Sequence, residues 1–227
     1  MGMIVFVDLE HVEFPEKHPV VWESVAHRRL RTKYRFEELT QLPCHIVRYP
    51  SFSAFSKQSH FKHARAVVFS GHNTELDAYP EIDLEPIRKW FLQPQLPTLT
   101  ICGSFQLMAQ TFGSKLGPMG KSDPTRHQHR DPVIPDSAAR ETGFCSITPA
   151  HKSALISAKS RVFQHHYWEV KTLPKAFHQI ARSGACEIQG LQHTSLPIVG
   201  FQFHPEDYDE ENRDGRSILR SWFSQHL

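Results

Sequence analysis

No two cysteines in this chain stand in a CxxC spacing, and only four occur in 227 residues, at 44, 102, 145 and 186. That excludes a disulfide-dense scaffold and gives no support to a structural zinc site. Long apolar runs are missing as well: none approaches the ~20 residues a membrane-spanning helix needs. The opening stretch MGMIVFVDLEH is a short apolar run that soon meets acidic residues, so it reads as a strand rather than a signal peptide. A cytoplasmic protein with no membrane partner is the expectation. Charge of one sign is also lacking, since 26 Lys and Arg against 24 Asp and Glu leave a formal net charge of +2. So balanced a chain offers no electrostatic reason for a nucleic-acid partner. There is no P-loop, hence no ATP-using synthetase domain to recognise.

The chain does hold enough apolar residues, 39%, to build a real core. Four short runs, at 3–9, 44–49, 64–71 and 97–102, are strand length and rich in β-branched or aromatic residues. Helix-capable segments separate them. In 20–42, Val21, Val25, Leu30, Phe36 and Leu39 recur on roughly helical spacing; in 84–93, Leu84, Ile87, Trp90 and Phe91 share a face. Residues 104–113 are apolar nearly all round, with Gly113 placed to end a helix. This alternation predicts an α/β fold with a mostly parallel sheet and helices on both faces. From 114 to 140, Gly, Pro, Ser and charge predict a long surface loop. The second half is strand-rich, with runs at 143–149, 160–166, 177–183, 186–192 and 197–204 and a final helix at 215–227. Cys44, Cys145 and Cys186 lie in strand patterns and are expected in the core. With no internal repeat and no linker, 1–227 reads as a single domain.

In such sheets ligands bind beyond the carboxyl ends of the strands. Ser70, Gly71 and Cys102 fall together on that edge. A strand that ends at Cys102 and turns directly into a helix points unpaired N–H groups and partial positive charge at the thiol. That arrangement lowers a thiol pKa and offers a site for an oxyanion. A buried, inert cysteine is the competing reading. A second strand end, in GFQFHPEDY (200–208), supplies His204 and, two residues on, Glu206, with Pro205 stiffening the turn. A thiolate nucleophile needs such a base, and the base needs an orienting carboxylate. Asp8 and Glu10, after the first strand, either border this site or cap a helix. Histidine is plentiful, with 16 residues and clusters in RHQHRD (126–131) and FQHHYW (163–168). No cysteine or acidic partner stands at a ligand spacing from them, so no metal is expected and RHQHR reads as a solvated basic loop.

TICGSFQ (100–106) and FQFHPE (201–206) together resemble the class I glutamine amidotransferases. In that family the nucleophile lies in G-[IV]-C-x-G-x-[QH] and the base and carboxylate in QFHPE. VVFSGHNTE (67–75) resembles the family's SGG loop, ETGFCSI (141–147) its E-x-G strand, and HHYWEVKTLP (165–174) its H-x-D-x-V-x-x-L-P segment. The order of segments is most similar to the stand-alone members, the GMP-synthase-like amidotransferases and γ-glutamyl peptidases. The resemblance implies a flavodoxin-like three-layer sandwich with a smaller antiparallel strand group. It implies that Cys102 attacks the γ-amide of glutamine or a γ-glutamyl compound to form a thioester, with no cofactor. Backbone N–H groups of Gly71 or His72 and of Gly103 would hold the oxyanion. His204, oriented by Glu206, would protonate the leaving amine and then activate water. Gln106 would lie near the substrate, and the backbone around Gln164 and His165, just before the matched His166, would hold its amino-acid end. If ammonia is transferred, the acceptor is a separate synthetase subunit.

The chain departs from the pattern at Thr100 and Ser104, where the family has its elbow glycines, and in SGHN, where it has SGGP. Three readings stay open: an active amidotransferase with a remodelled elbow, a stand-alone γ-glutamyl hydrolase, or a degenerate regulatory or binding subunit. His72 either lends its side chain to the pocket or, as the simpler expectation, faces solvent.

Overall fold

The computed structural model describes residues 2–120, 139–151, 153–156 and 158–227, so the RHQHR segment lies outside the described residues. In chain order the elements are β1 (Met3–Asp8), α1 (Phe14–Lys17), α2 (Pro19–Thr40), β2 (Cys44–Arg48), α3 (Phe52–Phe55), β3 (Ala64–Phe69), α4 (Glu81–Leu92), β4 (Thr98–Ile101) and α5 (Gly103–Thr111). There follow β5 (Leu116–Pro118), β6 (Glu141–Pro149), β7 (Ser160–His166), β8 (Trp168–Val170), β9 (Phe177–Ser183), β10 (Gly190–His193), β11 (Ile198–Phe201) and α6 (Asp214–His226). A nine-stranded sheet runs β2-β1-β3-β4-β11-β10-β9-β6-β7, and β5 pairs with β8 in a separate two-stranded sheet. The first five strands are mutually parallel and the last four extend the sheet antiparallel. The order of the parallel part is the flavodoxin-like one, as the resemblance implies.

Alternation along β1 shows why both faces are covered. Met3, Val5 and Val7 pack with residues of α4 and α5, while Ile4 and Phe6 pack with residues of α2 and α6. Every residue of β1 is buried, as a strand between two helical layers must be. Seven of the nine residues of α5 are buried too, matching the all-round apolar character of that segment. Among the described residues no helix is long and apolar enough to cross a membrane.

The structure corrects three expectations. Helix α2 buries Val25, Arg29, Thr32 and Phe36 and leaves Val21 and Leu30 at 44% and 47% exposure. The stripe keeps helical spacing, but an arginine occupies it because its charge is answered inside the protein; an apolar count passes over such a residue. The segment 114–140 is not all loop, since β5 forms within it. Three residues are too few for alternation to show, and the strand exists through its pairing with Trp168–Val170. Cys44 and Cys186 are buried as expected, whereas Cys145 is only half-buried, on the β6–β7 hairpin that ends the sheet.

Candidate active site

Strand β4 delivers Cys102 to the carboxyl edge of the sheet in a backbone conformation of φ 53°, ψ −111°. Among the described residues the other positive φ outside glycine belongs to Gln41, a left-handed cap of α2. A side chain held there carries strain, which persists only where the surroundings enforce it. Here the Cys102 N–H donates to the Phe201 carbonyl at 2.7 Å, and the Cys102 carbonyl accepts from the Gln106 N–H at 3.0 Å. The result is a sharp strand-to-helix corner with the thiol at its turn, built without glycine at 100 or 104.

The missing glycines are compensated in space. Ser104 Oγ accepts from the Ile101 N–H at 2.8 Å and donates to the Phe69 carbonyl at 2.8 Å, so its hydroxyl ties the corner to β3. Thr100 sits across from Gly200 on β11, where an added Cβ would fall 2.4 Å from Thr100 Oγ1. Gly103 takes up the close approach of His72: a Cβ at 103 would lie 2.2 Å from His72 Nε2. The altered loop and the altered elbow are therefore one packing solution, with an imidazole lying over the residue after Cys102. The imidazole is turned inward rather than to solvent. Nδ1 is 2.6 Å from the Thr74 carbonyl, which assigns the proton to Nδ1, and Nε2 is shut off from solvent without a hydrogen-bond partner. Burial pushes the His72 pKa down.

Beyond β11 the chain bridges to Phe163, whose carbonyl accepts the His204 N–H at 2.8 Å. His204 Nδ1 lies 2.8 Å from Glu206 Oε1, and the imidazole stands beside Cys102 against Gly71. Burial alone would lower the His204 pKa, but Glu206 and Cys102 outweigh it and hold it up at about 10. Helix α2 clamps this turn. Arg35 donates to the carbonyls of Glu206 and Tyr208 and stacks 4.0 Å over the Tyr208 ring, and Arg28 and Arg31 pair with Asp207. Asp207 is buried, which raises a carboxyl pKa, yet His204, Arg28 and Arg31 keep it below the usual range.

Cys102 opens into a cavity that His72, Asn73, Thr74, Gly103, Gln106, His165, His166, Tyr167 and Trp168 also line. Gln106 Nε2 donates to the Trp168 carbonyl at 2.9 Å and to Gln202 Oε1 at 3.1 Å, so it braces the cavity wall. The His165 carbonyl lies 3.8 Å from Cys102 Sγ. Burial, then His204 and Arg28, lowers the His165 imidazole pKa to about 4, so it is neutral at pH 7. His166 Nε2 lies 3.2 Å from Glu141 Oε2. Sequence reasoning passes over Gln202, fully buried with Nε2 3.8 Å from Cys102 Sγ. Its one signal is the first letter of QFHPE. Asp8 and Glu10 serve as loop anchors: Glu10 Oε2 accepts the Asn73 N–H at 2.9 Å, and Asp8 pairs with Arg29.

Gln164 is not brought into the cavity lining. Its side chain is fully buried, with neither amide atom hydrogen-bonded. Gln164→Met is therefore expected to leave stability unchanged or raise it by about 1 kcal/mol, because an unpaired buried amide is unfavourable. Urea denaturation checks this, and a clear loss of stability refutes it.

Among the described residues, two buried trios bring metal-capable atoms within 4.8 Å of one another: Glu141, His166 and Cys186, and His204, Glu206 and Asp207. In each, the histidine is already paired with the glutamate. Burial and Glu169 push the Cys186 pKa up, which keeps a neutral thiol rather than a thiolate ligand. Hydrogen-bond networks describe both trios better than metal sites do.

The glutamine amidotransferase class-I family model matches residues 32–225. Over 162 residues the chain is 33% identical to a glutamine-hydrolyzing GMP synthase subunit of Pyrococcus furiosus, covering 70% of this chain and 73% of that one. The protein of the same name from Methanococcus aeolicus is 26% identical over 196 residues, covering 86% and 87%. Among solved structures, a Thermoplasma acidophilum protein superposes with a TM-score of 0.70 at 23% identity over 99% of this chain and 93% of its own. A glutamine amidotransferase from Thermotoga maritima gives 0.66 at 17% identity over 100% and 98%. At such identities the structural likeness speaks for the fold alone. The family match, by contrast, runs from within α2 through the Cys102 corner and the His204 turn into α6, and on it the chain belongs to the class I glutamine amidotransferases.

Proposed function

We propose that this chain hydrolyses the γ-carboxamide of glutamine at Cys102 and passes the ammonia to a separate synthetase chain; its relatives carry the name of glutamine-hydrolyzing GMP synthase subunits. The observation that carries this reading is the position of His204, beside the strained Cys102 and paired with Glu206. The Cys102 sulfur attacks the amide carbon, and the carbonyl oxygen takes the negative charge. The N–H groups of His72 and Gly103 stabilise that oxygen at the start of α5. The C–N bond breaks as the His204 imidazolium gives its proton to the leaving nitrogen, and a γ-glutamyl thioester remains. Neutral His204 then takes a proton from water, which attacks the thioester and releases glutamate and the thiol. Glu206 holds the imidazole in the tautomer and orientation that serve both steps.

Incubation with a chloroketone analogue of glutamine, followed by mass spectrometry, is expected to give one adduct, on Cys102. An unlabelled protein sinks the reading. Glutamate release that rises when a synthetase chain of the GMP synthase type is added supports ammonia transfer. Steady turnover of γ-glutamyl amides by the chain alone identifies a stand-alone hydrolase instead.

The pKa of His204, raised to about 10, sets a pH expectation. The proton-donating imidazolium persists through neutral pH and is lost as pH rises through that value. The alkaline limb of kcat/KM for glutamine is therefore expected near pH 10, and Glu206→Gln is expected to move it toward neutrality by removing the carboxylate that holds the proton. The same raised pKa stabilises the fold fully below the unfolded value of about 6.5, with the contribution lost as pH climbs toward 10. A pH–rate profile in which Glu206→Gln leaves the limb unmoved refutes the assignment.

A further inference from the structure

Beneath the loop that carries Gly71 and His72 lies a guanidinium to which the proposed mechanism gives no part. Arg29, on the buried stripe of α2, is 6% exposed. Its Nη2 donates to the Gly71 carbonyl at 2.7 Å and its Nε to Asp8 Oδ1 at 2.8 Å. Ser70 Oγ donates to the same Gly71 carbonyl at 2.7 Å and accepts from the Leu9 N–H at 2.9 Å. Asp8 ends β1, and its other oxygen lies 3.3 Å from Arg48 Nε. The Gly71 carbonyl is thus gripped by two donors, each anchored to the strand core.

The peptide joining Gly71 to His72 is trans, so its C=O and N–H point in opposite directions. With the carbonyl drawn toward Arg29 and Ser70, the His72 N–H is turned the other way. Among the described residues that N–H meets no protein acceptor. The peptide also stands against the reacting pair: a Cβ on Gly71 would lie 3.1 Å from Cys102 Cβ and 3.2 Å from His204 Cε1.

We propose that Arg29 is a positioning residue for the oxyanion site, holding the Gly71 carbonyl so that the His72 N–H is aimed at the oxygen that becomes negative when Cys102 attacks. This rests on the amidotransferase reading above. A charged donor on the carbonyl also polarises the peptide and strengthens the N–H at its other end. Arg29 acts through the loop and touches no reacting atom. The competing account makes it only a strut between β1 and α2, and the two accounts differ in which reactions of Cys102 they slow.

The test compares two rates of Cys102 modification in the full chain. A glutamine chloroketone must place its carbonyl oxygen in the oxyanion site. Iodoacetamide displaces iodide at a saturated carbon and forms no oxyanion. Arg29→Gln is expected to slow chloroketone labelling on the order of 10- to 100-fold, with Arg29→Lys intermediate, while iodoacetamide rates stay within about twofold. Rates that fall together, or do not fall, overturn the proposal. If neither Arg29 variant folds, Ser70→Ala decides, because it leaves no buried charge unpaired. A loss of roughly 3- to 10-fold with the chloroketone alone is then expected, and an unchanged ratio of the two rates overturns the proposal. A wild-type chain that iodoacetamide alkylates and the chloroketone does not label removes the amidotransferase reading, and this inference with it.

Discussion

Cys102→Ala is expected to abolish glutamate release from glutamine, a loss on the order of 10⁴-fold or more in kcat, because among the described residues lining the cavity no other is a cysteine that could form the proposed thioester. His204→Ala should cost about as much, and the double variant little more than either alone, since nucleophile and base act as one unit. Glu206→Gln is expected to cost less, on the order of 10²- to 10⁴-fold, because the imidazole remains but its tautomer and charge are no longer held. Glutamate measurement on the three single variants and the double variant checks the series; a double variant that loses the product of the single losses sinks the shared role. The strain at Cys102 adds a stability readout independent of activity. At φ 53° and ψ −111° a side chain is held where glycine sits freely. Cys102→Gly is therefore expected to be more stable than Cys102→Ala by about 1 kcal/mol. The reverse order in thermal denaturation refutes the idea that the fold holds this residue under strain.

Gly103→Ala is expected to cost on the order of 10²-fold in activity, and His72→Gly in the same chain to restore most of it. The new methyl would fall 2.2–2.7 Å from three atoms of the His72 ring. A ring edge often swings aside cheaply, but this one is pinned by the 2.6 Å contact of Nδ1 with the Thr74 carbonyl and packs 5.4 Å from the Tyr79 ring. Relief of the clash must then move the 70–75 loop or the start of α5, the two places that present the proposed oxyanion donors. His72→Gly removes the obstacle and returns the loop to the glycine pair of the family's motif. The measurement is kcat for glutamine in the two single variants and the double variant. Losses that simply add, without rescue, would show that the imidazole and Gly103 are not one packing unit. The double variant also bears on the elbow departures, which the sequence leaves open between a remodelled and a degenerate site. Compensation of each missing glycine by a neighbour, Ser104 by its hydroxyl bonds and Thr100 by Gly200, favours the remodelled one.

Local chemistry is legible in the chain itself. The strands β1, β3 and β4 announce themselves because β-branched and aromatic residues crowd short runs that both helical layers must cover. The corner at Cys102 and the pair His204 and Glu206 are readable because each is a short motif placed at one strand end. From these follow the parallel sheet, its carboxyl edge and the family. What only the tertiary structure decided are contacts between residues far apart in sequence. Arg29 under Gly71, 42 positions away, and Arg35 on the carbonyl of Glu206, 171 positions away, leave no trace in periodicity. An arginine in a helix reads as a solvent residue until a carboxylate such as Asp8 is brought to it. The strand β5 is likewise invisible to alternation until β8 pairs with it. The sequence leaves the His72 side chain open between pocket and solvent and gives Gly103 only a backbone role, and only their meeting in space explains the packing of both. The sequence by itself determined which atoms are available to react, because that depends on residue type and on short spacings. Folding decided which backbone groups face those atoms, because that depends on distant partners pulling a peptide plane one way rather than the other.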